Sequence, residues 1–230
     1  MKSKRSLISL GSLTALAGFI LSGPVGFLLV QIIQPQTEWK SPADFVANYN
    51  SLLNFPYWCG FILVGGMLIL AAAHYLNAEE EKPLDKLHIL LAVIWTTVFA
   101  SLVFFNYICQ VSFIPHLASH YKSEYDAAIS TFSMANPSSL SWCIEMWGYA
   151  ILGIATWLLS AFYRDKSKLI YVLLITNGIV SVLSAVLSVI DERWLLTRVG
   201  LVSYFLWNLL MVILLILIYR YSKTLLHESK

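Results

Sequence analysis

The chain is poor in charged residues. Asp, Glu, Lys and Arg make up 12% of its 230 residues, against about 25% in soluble domains. Hydrophobic residues make up 58%, against about 45–50% in soluble domains. The net charge of +2 and the scattered basic residues do not favour nucleic acid as a partner. This composition excludes an ordinary soluble domain and predicts that most of the chain lies in a lipid bilayer.

The sequence also lacks the short motifs of soluble enzymes. It contains no GxGxxG, P-loop, GxSxG, CxxC or HExxH string. Its three cysteines, Cys59, Cys109 and Cys143, are odd in number and have apolar neighbours. This pattern favours free, buried thiols, with one disulfide bridge left open. We therefore predict no catalytic residue, no bound metal and no cofactor.

Six apolar stretches are long enough to cross a bilayer as helices, which takes about 20 residues. They cover residues 7–33, 55–76, 87–110, 140–162, 169–190 and 200–219. Backbone groups in lipid must find hydrogen bonds within their own segment, so each stretch is predicted to be helical. The sequence thus predicts an all-α polytopic membrane protein, a bundle of six transmembrane helices that forms one domain over residues 1–230. The first stretch is too long for a cleavable signal and is predicted to be retained.

The basic residues are distributed unevenly between the two sides of these stretches. Of the fifteen Lys and Arg residues, eleven lie on one side and four, Lys40, Lys122, Arg193 and Arg198, on the other. Because Lys and Arg accumulate in cytoplasmic loops, both termini are predicted to be cytoplasmic, in the cytoplasmic membrane of a bacterium. The two longest connections then face outward.

Each of these outward connections predicts an amphipathic helix. Ser41 and Pro42, followed by Asp44, form a typical helix start. Pro115 begins a second stretch with apolar residues at helical spacing, and Asn136-Pro137 ends it. Two interpretations are open for these helices, a cover over the outer face and inert packing.

Glu145 is the one formally charged residue inside the six apolar stretches. An ionisable group at membrane depth commonly has a function. Trp142 and Tyr149 share its helical face, while Asn106, Gln110 and Trp58 are predicted to lie at a similar depth on neighbouring spans. These six residues form the predicted ligand-binding site. Alternatively, residues 146–163 span the membrane alone and Glu145 lies at the outer interface.

Two stripes of polar or small residues follow the helical repeat. In the fifth stretch the stripe consists of Asn177, Ser181, Ser184, Ser188 and Asp191. In the first stretch it consists of Gly11, Ala15, Gly18, Ser22 and Gly26, with a kink predicted at Gly23-Pro24. Such stripes usually let helices pack closely and hydrogen-bond with each other. The alternative for the fifth stretch is the lining of an ion or solute path.

The histidines are a weaker signal. His116, His120 and Glu124 share one helical face, and His74 and His88 flank a short acidic loop. Two histidines four residues apart can bind zinc, and His74 with His88 is a possible ligand pair for a metal or haem. A solvated loop surface explains the first group more simply. A position at the membrane interface explains the second group more simply.

A basic amino terminus, a kinked first span and an outer helix with Asp44, Asn48 and Asn50 precede the second span. This layout resembles a group of bacterial six-helix integral membrane proteins without an established activity. The resemblance covers most of the chain in architecture only. It implies a membrane fold, and no functional residue is carried over from it.

Three functions are open on this sequence. The first is binding or transport of a small apolar or lipid-like molecule in an outward-facing pocket that includes Glu145. The second is a membrane redox or metal-dependent enzyme that uses the histidines, which the missing motifs make less expected. The third is a structural or regulatory subunit, in a homo-oligomer or with another membrane protein. The single carboxylate within the apolar stretches favours the first.

Overall fold

The part of the chain that the structure describes is helical and contains no strand. The computed structural model describes residues 2–33, 35, 38–79 and 81–228, so Met1 and Lys230, the ends of the predicted domain, lie outside it. The α-helices are α1 Lys2–Ile20, α2 Gly26–Ile33, α3 Pro42–Ala47, α4 Phe55–Leu76, α5 Pro83–Ile108, α6 Ile114–Ser119, α7 Asp126–Phe132, α8 Leu140–Leu159, α9 Lys168–Ile190 and α10 Arg198–Glu228. The predicted all-α class is confirmed.

Six continuous helical segments among the described residues are long and apolar enough to cross a membrane. They are Ser6–Ile33, Ser51–Leu76, Pro83–Ser119, Leu140–Tyr163, Lys168–Ile190 and Arg198–Thr224. Their outer surfaces expose large apolar side chains such as Phe27, Leu183 and Phe205, each more than half exposed. Water disfavours so much exposed apolar surface, whereas lipid accommodates it. These features indicate a multi-pass membrane protein.

Two prolines inside these segments are accommodated by π-helical turns. Pro24 lies within the π turn Leu21–Val25, and Pro115 follows the π turn Cys109–Phe113. Proline has no N–H and its ring clashes with the carbonyl four residues earlier, so a locally wider turn relieves the conflict. The third segment therefore continues past Gln110 to Ser119 instead of ending where it was predicted to end.

The two amphipathic connections differ in how closely they follow the prediction. The predicted helix start is confirmed, since the Ser41 hydroxyl accepts a hydrogen bond from the Asp44 N–H at 3.1 Å at the start of α3. The predicted second helix is interrupted, because Lys122 is extended and separates α6 from the short turn Ser123–Tyr125 and from α7. The helices α3 and α7 contact each other.

The long helices pack in chain order. The helix α1 packs on α4, α4 on α5, α5 on α8, α8 on α9, and α9 on α10, which returns to α1. The contact between α1 and α4 is backbone to backbone: a Cβ atom added to Gly18 would lie 2.6 Å from the Leu63 Cα, and one added to Gly11 would lie 2.6 Å from the Leu70 N. The predicted close packing of the small-residue stripe is confirmed at these positions.

The two ends of the helices carry different connections. At one end, here called the capped end, lie α3, α7 and the turn Trp194–Leu196. At the other end, called the open end, ion pairs join the connection 77–82 and the first turn of α5 to the connection 164–167. These pairs are Arg164 with Asp85 at 3.1 Å, Lys82 with Asp165 at 3.6 Å, and Lys166 with Glu81. The candidate site lies toward the capped end.

Candidate functional site

Glu145 is buried between α5 and α8, with only 9% of its surface exposed. Its Oε2 accepts a hydrogen bond from the Asn106 amide at 2.9 Å, and its Oε1 accepts one from the Tyr107 hydroxyl at 3.0 Å. Both donors come from the last turn of α5, where two successive side chains reach the carboxylate. The carboxylate therefore lies inside the protein and not on its apolar outer surface.

Aromatic side chains from four helices surround this carboxylate. We call Tyr57, Tyr107, Tyr149, Tyr204 and Trp207 the aromatic cluster. Because the Tyr107 hydroxyl donates to Glu145, the Tyr149 hydroxyl donates to the Tyr107 oxygen, at 3.2 Å. The Tyr57 and Tyr107 rings lie 5.5 Å apart, and those of Tyr149 and Trp207 lie 5.4 Å apart. Tyr204 stacks on Trp207, with ring centroids 6.2 Å apart.

A glycine makes room for the Tyr107 ring. A Cβ atom added to Gly60 on α4 would lie 2.9 Å from the Tyr107 Cζ, closer than real Cβ contacts. The ring is therefore seated directly against the α4 backbone, which fixes the direction of its hydroxyl toward Glu145. The geometry of the carboxylate thus depends on the packing of α4 against α5.

The hydrogen-bonding partners of the Glu145 carboxylate are neutral. None of the ion pairs within the described residues includes Glu145. The Asn106 side chain is fully buried, and its Oδ1 has no hydrogen-bond partner among the described residues. A buried carboxylate is ordinarily paired with a cation. The site thus has an excess of acceptors and lacks a positive charge.

The segment after α7 covers this site. The Gln110 amide donates to the Phe132 carbonyl at 2.8 Å, and its Oε1 accepts from the Met134 N–H at 3.0 Å. The Ser141 hydroxyl donates to the same Phe132 carbonyl at 2.8 Å. Met134 also brings its sulfur to 3.4 Å from the Asn106 amide nitrogen. Side chains of α8 and of the π turn after α5 therefore hold residues 132–134, which we call the cover, over the carboxylate.

The structure distributes the six predicted site residues among four positions. Asn106 and Tyr149 join Glu145, and Gln110 holds the cover. Trp58 is 57% exposed and packs on Phe61, with ring centroids 5.7 Å apart, so its ring belongs to the outer surface. Trp142 lies in the first turn of α8, where its backbone N–H donates to the Ser139 hydroxyl, and its indole N–H has no hydrogen-bond partner within the residues that the structure describes.

Sequence reasoning missed Tyr57 and Tyr107. Each is adjacent in the chain to a residue that was predicted, Trp58 and Asn106 respectively. Neighbouring residues on a helix point about 100° apart, and nothing in an apolar stretch indicates which of two adjacent aromatic or polar side chains faces inward. The run of tyrosines at one depth was the available signal.

The polar stripe of α9 contributes to helix packing. The Asn177 amide donates to the Thr156 hydroxyl of α8 at 2.9 Å, and its Oδ1 accepts from the Trp207 indole at 3.0 Å. Ser181 packs against Gly153, and the Ser184 carbonyl and Ser188 hydroxyl accept from the Trp194 indole at 3.1 and 2.9 Å. Asp191, at the end of the stripe, accepts from the Arg193 N–H. The contacts of Asn177 and Ser181 are between helices, whereas those of Ser184, Ser188 and Asp191 stay within α9 and the turn that follows it.

His74 and the pair His116 and His120 lie in different parts of the molecule. His74 is fully buried near the open end, where its Nδ1 lies 2.7 Å from the Leu70 carbonyl and its Nε2 lies 2.6 Å from the Tyr163 hydroxyl. Since a carbonyl only accepts, Nδ1 carries the proton and Nε2 accepts from Tyr163. The rings of the exposed His116 and His120 lie 4.7 Å apart. No group of three or more His, Cys, Asp or Glu residues in the described part of the chain is arranged to hold a metal.

The three cysteines are free thiols. Cys59 and Cys109 are buried, as expected from their apolar surroundings. Cys143 is exposed, so the expectation of a buried thiol is wrong there. The reason is its position on α8, which places it away from the face that carries Glu145 and Tyr149.

The carboxylate, the aromatic cluster and the cover define one candidate site, and its chemistry is acidic and aromatic. Comparison with known proteins identifies no relative from which a role for this site could be taken. No protein-family model matches the sequence, and neither a curated protein nor a solved structure shows significant similarity to the chain.

Proposed function

We propose that the chain is a cell-membrane protein in which a bundle of six transmembrane helices encloses a binding site for a small molecule, and that it binds or transports that molecule. The capped end faces outward and both termini lie in the cytoplasm. The uneven distribution of Lys and Arg supports this orientation.

The observation that carries the proposal is the buried carboxylate of Glu145, whose hydrogen-bonding partners among the described residues are neutral. A charge inside a membrane protein is costly, and those that persist are usually functional. A purely structural tie between α5 and α8 would need no charge, because a neutral amide can also link two helices. The arrangement is better suited to a site that receives its partner from outside the chain.

The cover provides a route to the site. Residues 132–134 are held by hydrogen bonds from Gln110 and Ser141 and by packing of the Phe132 ring on Phe105 and Phe113, and they are not part of a long helix. We expect movement of this segment to uncover Glu145 without separating the long helices. This arrangement supports an outward-facing pocket that opens when the cover moves.

The proposal is tested by identifying what the protein retains after extraction in mild detergent. Native mass spectrometry of the wild type should show a bound small molecule that is lost from Glu145→Gln. Glu192→Gln is the matched control, because Glu192 is exposed and bonds to Ser138 at the capped end. Equal retention by Glu145→Gln and the wild type, or no retained molecule in the wild type, would contradict the proposal.

The same measurement separates the alternatives. A second protein chain retained in fixed stoichiometry, with no small molecule, would favour the structural or regulatory subunit. The histidine-based enzyme receives less support from the geometry, because both ring nitrogens of His74 are engaged by Leu70 and Tyr163.

A further inference from the structure

The acceptors around Glu145 indicate what kind of group would complete the site. The Asn106 amide nitrogen lies 3.2 Å from the Ser141 carbonyl, and a carbonyl only accepts, so this contact fixes which end of the amide is the donor. Its Oδ1 then has no donor in the described part of the chain, although the side chain is fully buried. This oxygen belongs to the same amide group whose nitrogen donates to the Glu145 carboxylate. A positively charged donor is the complement to both.

The rings of the site favour the same kind of ligand. Cations are attracted to the faces of tyrosine and tryptophan rings, more strongly where water is excluded. Hydrogen bonds link the Tyr107 and Tyr149 hydroxyls to the Glu145 carboxylate, and the rings of Tyr57 and Trp207 pack against these two tyrosines. The same rings offer apolar contact to the uncharged part of a ligand.

We infer that the Glu145 site takes a protonated amine with an apolar body. Its ammonium group donates to the Glu145 carboxylate and to the Asn106 Oδ1, and the aromatic cluster contacts its apolar body. This inference rests on the proposed function of the site and adds the chemical class of the ligand.

Three features of the amine matter separately. A neutral alcohol of the same shape donates a hydrogen bond but leaves the Glu145 charge unpaired. A fully methylated ammonium pairs with the charge and the rings but has no N–H for Asn106. The site should therefore rank ligands in the order protonated amine, methylated ammonium, alcohol. An anion should be the weakest ligand of all, because its charge has the same sign as that of the Glu145 carboxylate and the two repel each other.

The test uses three probes of similar size with the purified full chain in mild detergent. They are 2-phenylethylamine, its N,N,N-trimethyl analogue and 2-phenylethanol, at about pH 7, where an alkyl amine is protonated. Isothermal titration calorimetry measures each affinity. The amine should bind at least about tenfold more tightly than the alcohol, equivalent to about 1.4 kcal/mol, with the trimethyl analogue between them.

Variants then assign the preference to the site. Removing one partner of a buried charge pair costs about 2 kcal/mol or more, so Glu145→Gln should weaken amine binding about 30-fold or more. It should change binding of 2-phenylethanol little, and Glu192→Gln should change neither. If Glu145→Gln does not fold, as judged by size-exclusion chromatography, the ranking of the three probes on the wild type decides.

Equal binding of the amine and the alcohol would overturn the inference, as would failure of the amine to bind. The proposed function is judged separately by the molecule that the protein retains on extraction. A neutral or anionic retained molecule that depends on Glu145 would uphold a small-molecule site while overturning the amine. Loss of amine binding in Glu145→Gln, together with the expected ranking of the probes, would support both the small-molecule site and the amine as its ligand.

Discussion

At the residue scale, Tyr107 connects the carboxylate to the rest of the site. Its hydroxyl donates to Glu145 and accepts from Tyr149, and its ring rests on Gly60. One side chain of α5 thereby links α4 and α8 through packing and hydrogen bonding. Tyr107 is a positioning residue in this arrangement, since it orients the carboxylate that would meet the ligand.

Tyr107→Phe should destabilise the protein while leaving the ring packing in place. The variant removes the donor to a buried carboxylate oxygen, and a hydrogen bond to a charged group contributes about 1.5–3 kcal/mol. The melting temperature in detergent should fall, and it should fall less in Tyr171→Phe, whose hydroxyl lies outside the cluster. Equal melting temperatures for the wild type and Tyr107→Phe would show that this hydroxyl does not hold the site together.

The sequence could indicate Glu145 as the residue of interest but not its partners. Charge is rare in the apolar stretches, so a single carboxylate is conspicuous. Tyrosines are common in the chain, with twelve in total. A tyrosine is equally typical of the membrane–water interface and of a binding site. The distinction between Tyr57 and Trp58 depends on the rotation of α4, which is set by its contact with α1.

At the scale of helices, the contact between α1 and α4 sets that rotation. The backbones of α1 and α4 meet at Gly18 and Gly66, where an added Cβ atom would overlap the backbone of the opposite helix. Without side chains between them, the helices have one close register, and the face of α4 that carries Tyr57 and Gly60 is turned toward α5. Small residues far from Glu145 thus help to place the aromatic cluster.

Gly66→Ala and Gly65→Ala form a matched pair on α4 that tests this contact. A Cβ atom at residue 66 would lie 2.6 Å from the Ala15 Cα, whereas one at residue 65 would meet nothing within 4 Å. Overpacking costs about 1–3 kcal/mol, so Gly66→Ala should lower the melting temperature. Gly65→Ala should leave it unchanged or raise it, because alanine favours helix. Equal effects of the two substitutions would contradict the close contact.

The positions of the helix ends were harder to predict from the sequence than the presence of the helices. The apolar stretches correctly indicate six long helices, and the Ser41 cap correctly indicates the start of α3. The third segment runs on to Ser119 because a π turn accommodates Pro115, a solution that residue types alone do not reveal. The interruption at Lys122 likewise depends on the packing of α7 against α3 and α8.

At the scale of the whole molecule, the two ends differ in chemistry. The open end contains the ion pairs between the connections 77–82 and 164–167, whereas the capped end contains short helices and the cover. If the capped end faces outward, Glu145 is reached from outside the cell. The orientation therefore decides from which compartment a ligand arrives.

Site-directed cysteine labelling tests this orientation. In a background with Cys59, Cys109 and Cys143 replaced by alanine, Glu192→Cys marks the capped end and Asp165→Cys marks the open end, both at exposed positions. A membrane-impermeant maleimide applied to intact cells should label the cysteine at residue 192, because that loop faces outward. The cysteine at residue 165 should react only after the membrane is permeabilised. The reverse pattern would place the site on the cytoplasmic side, and a ligand would then enter from within the cell.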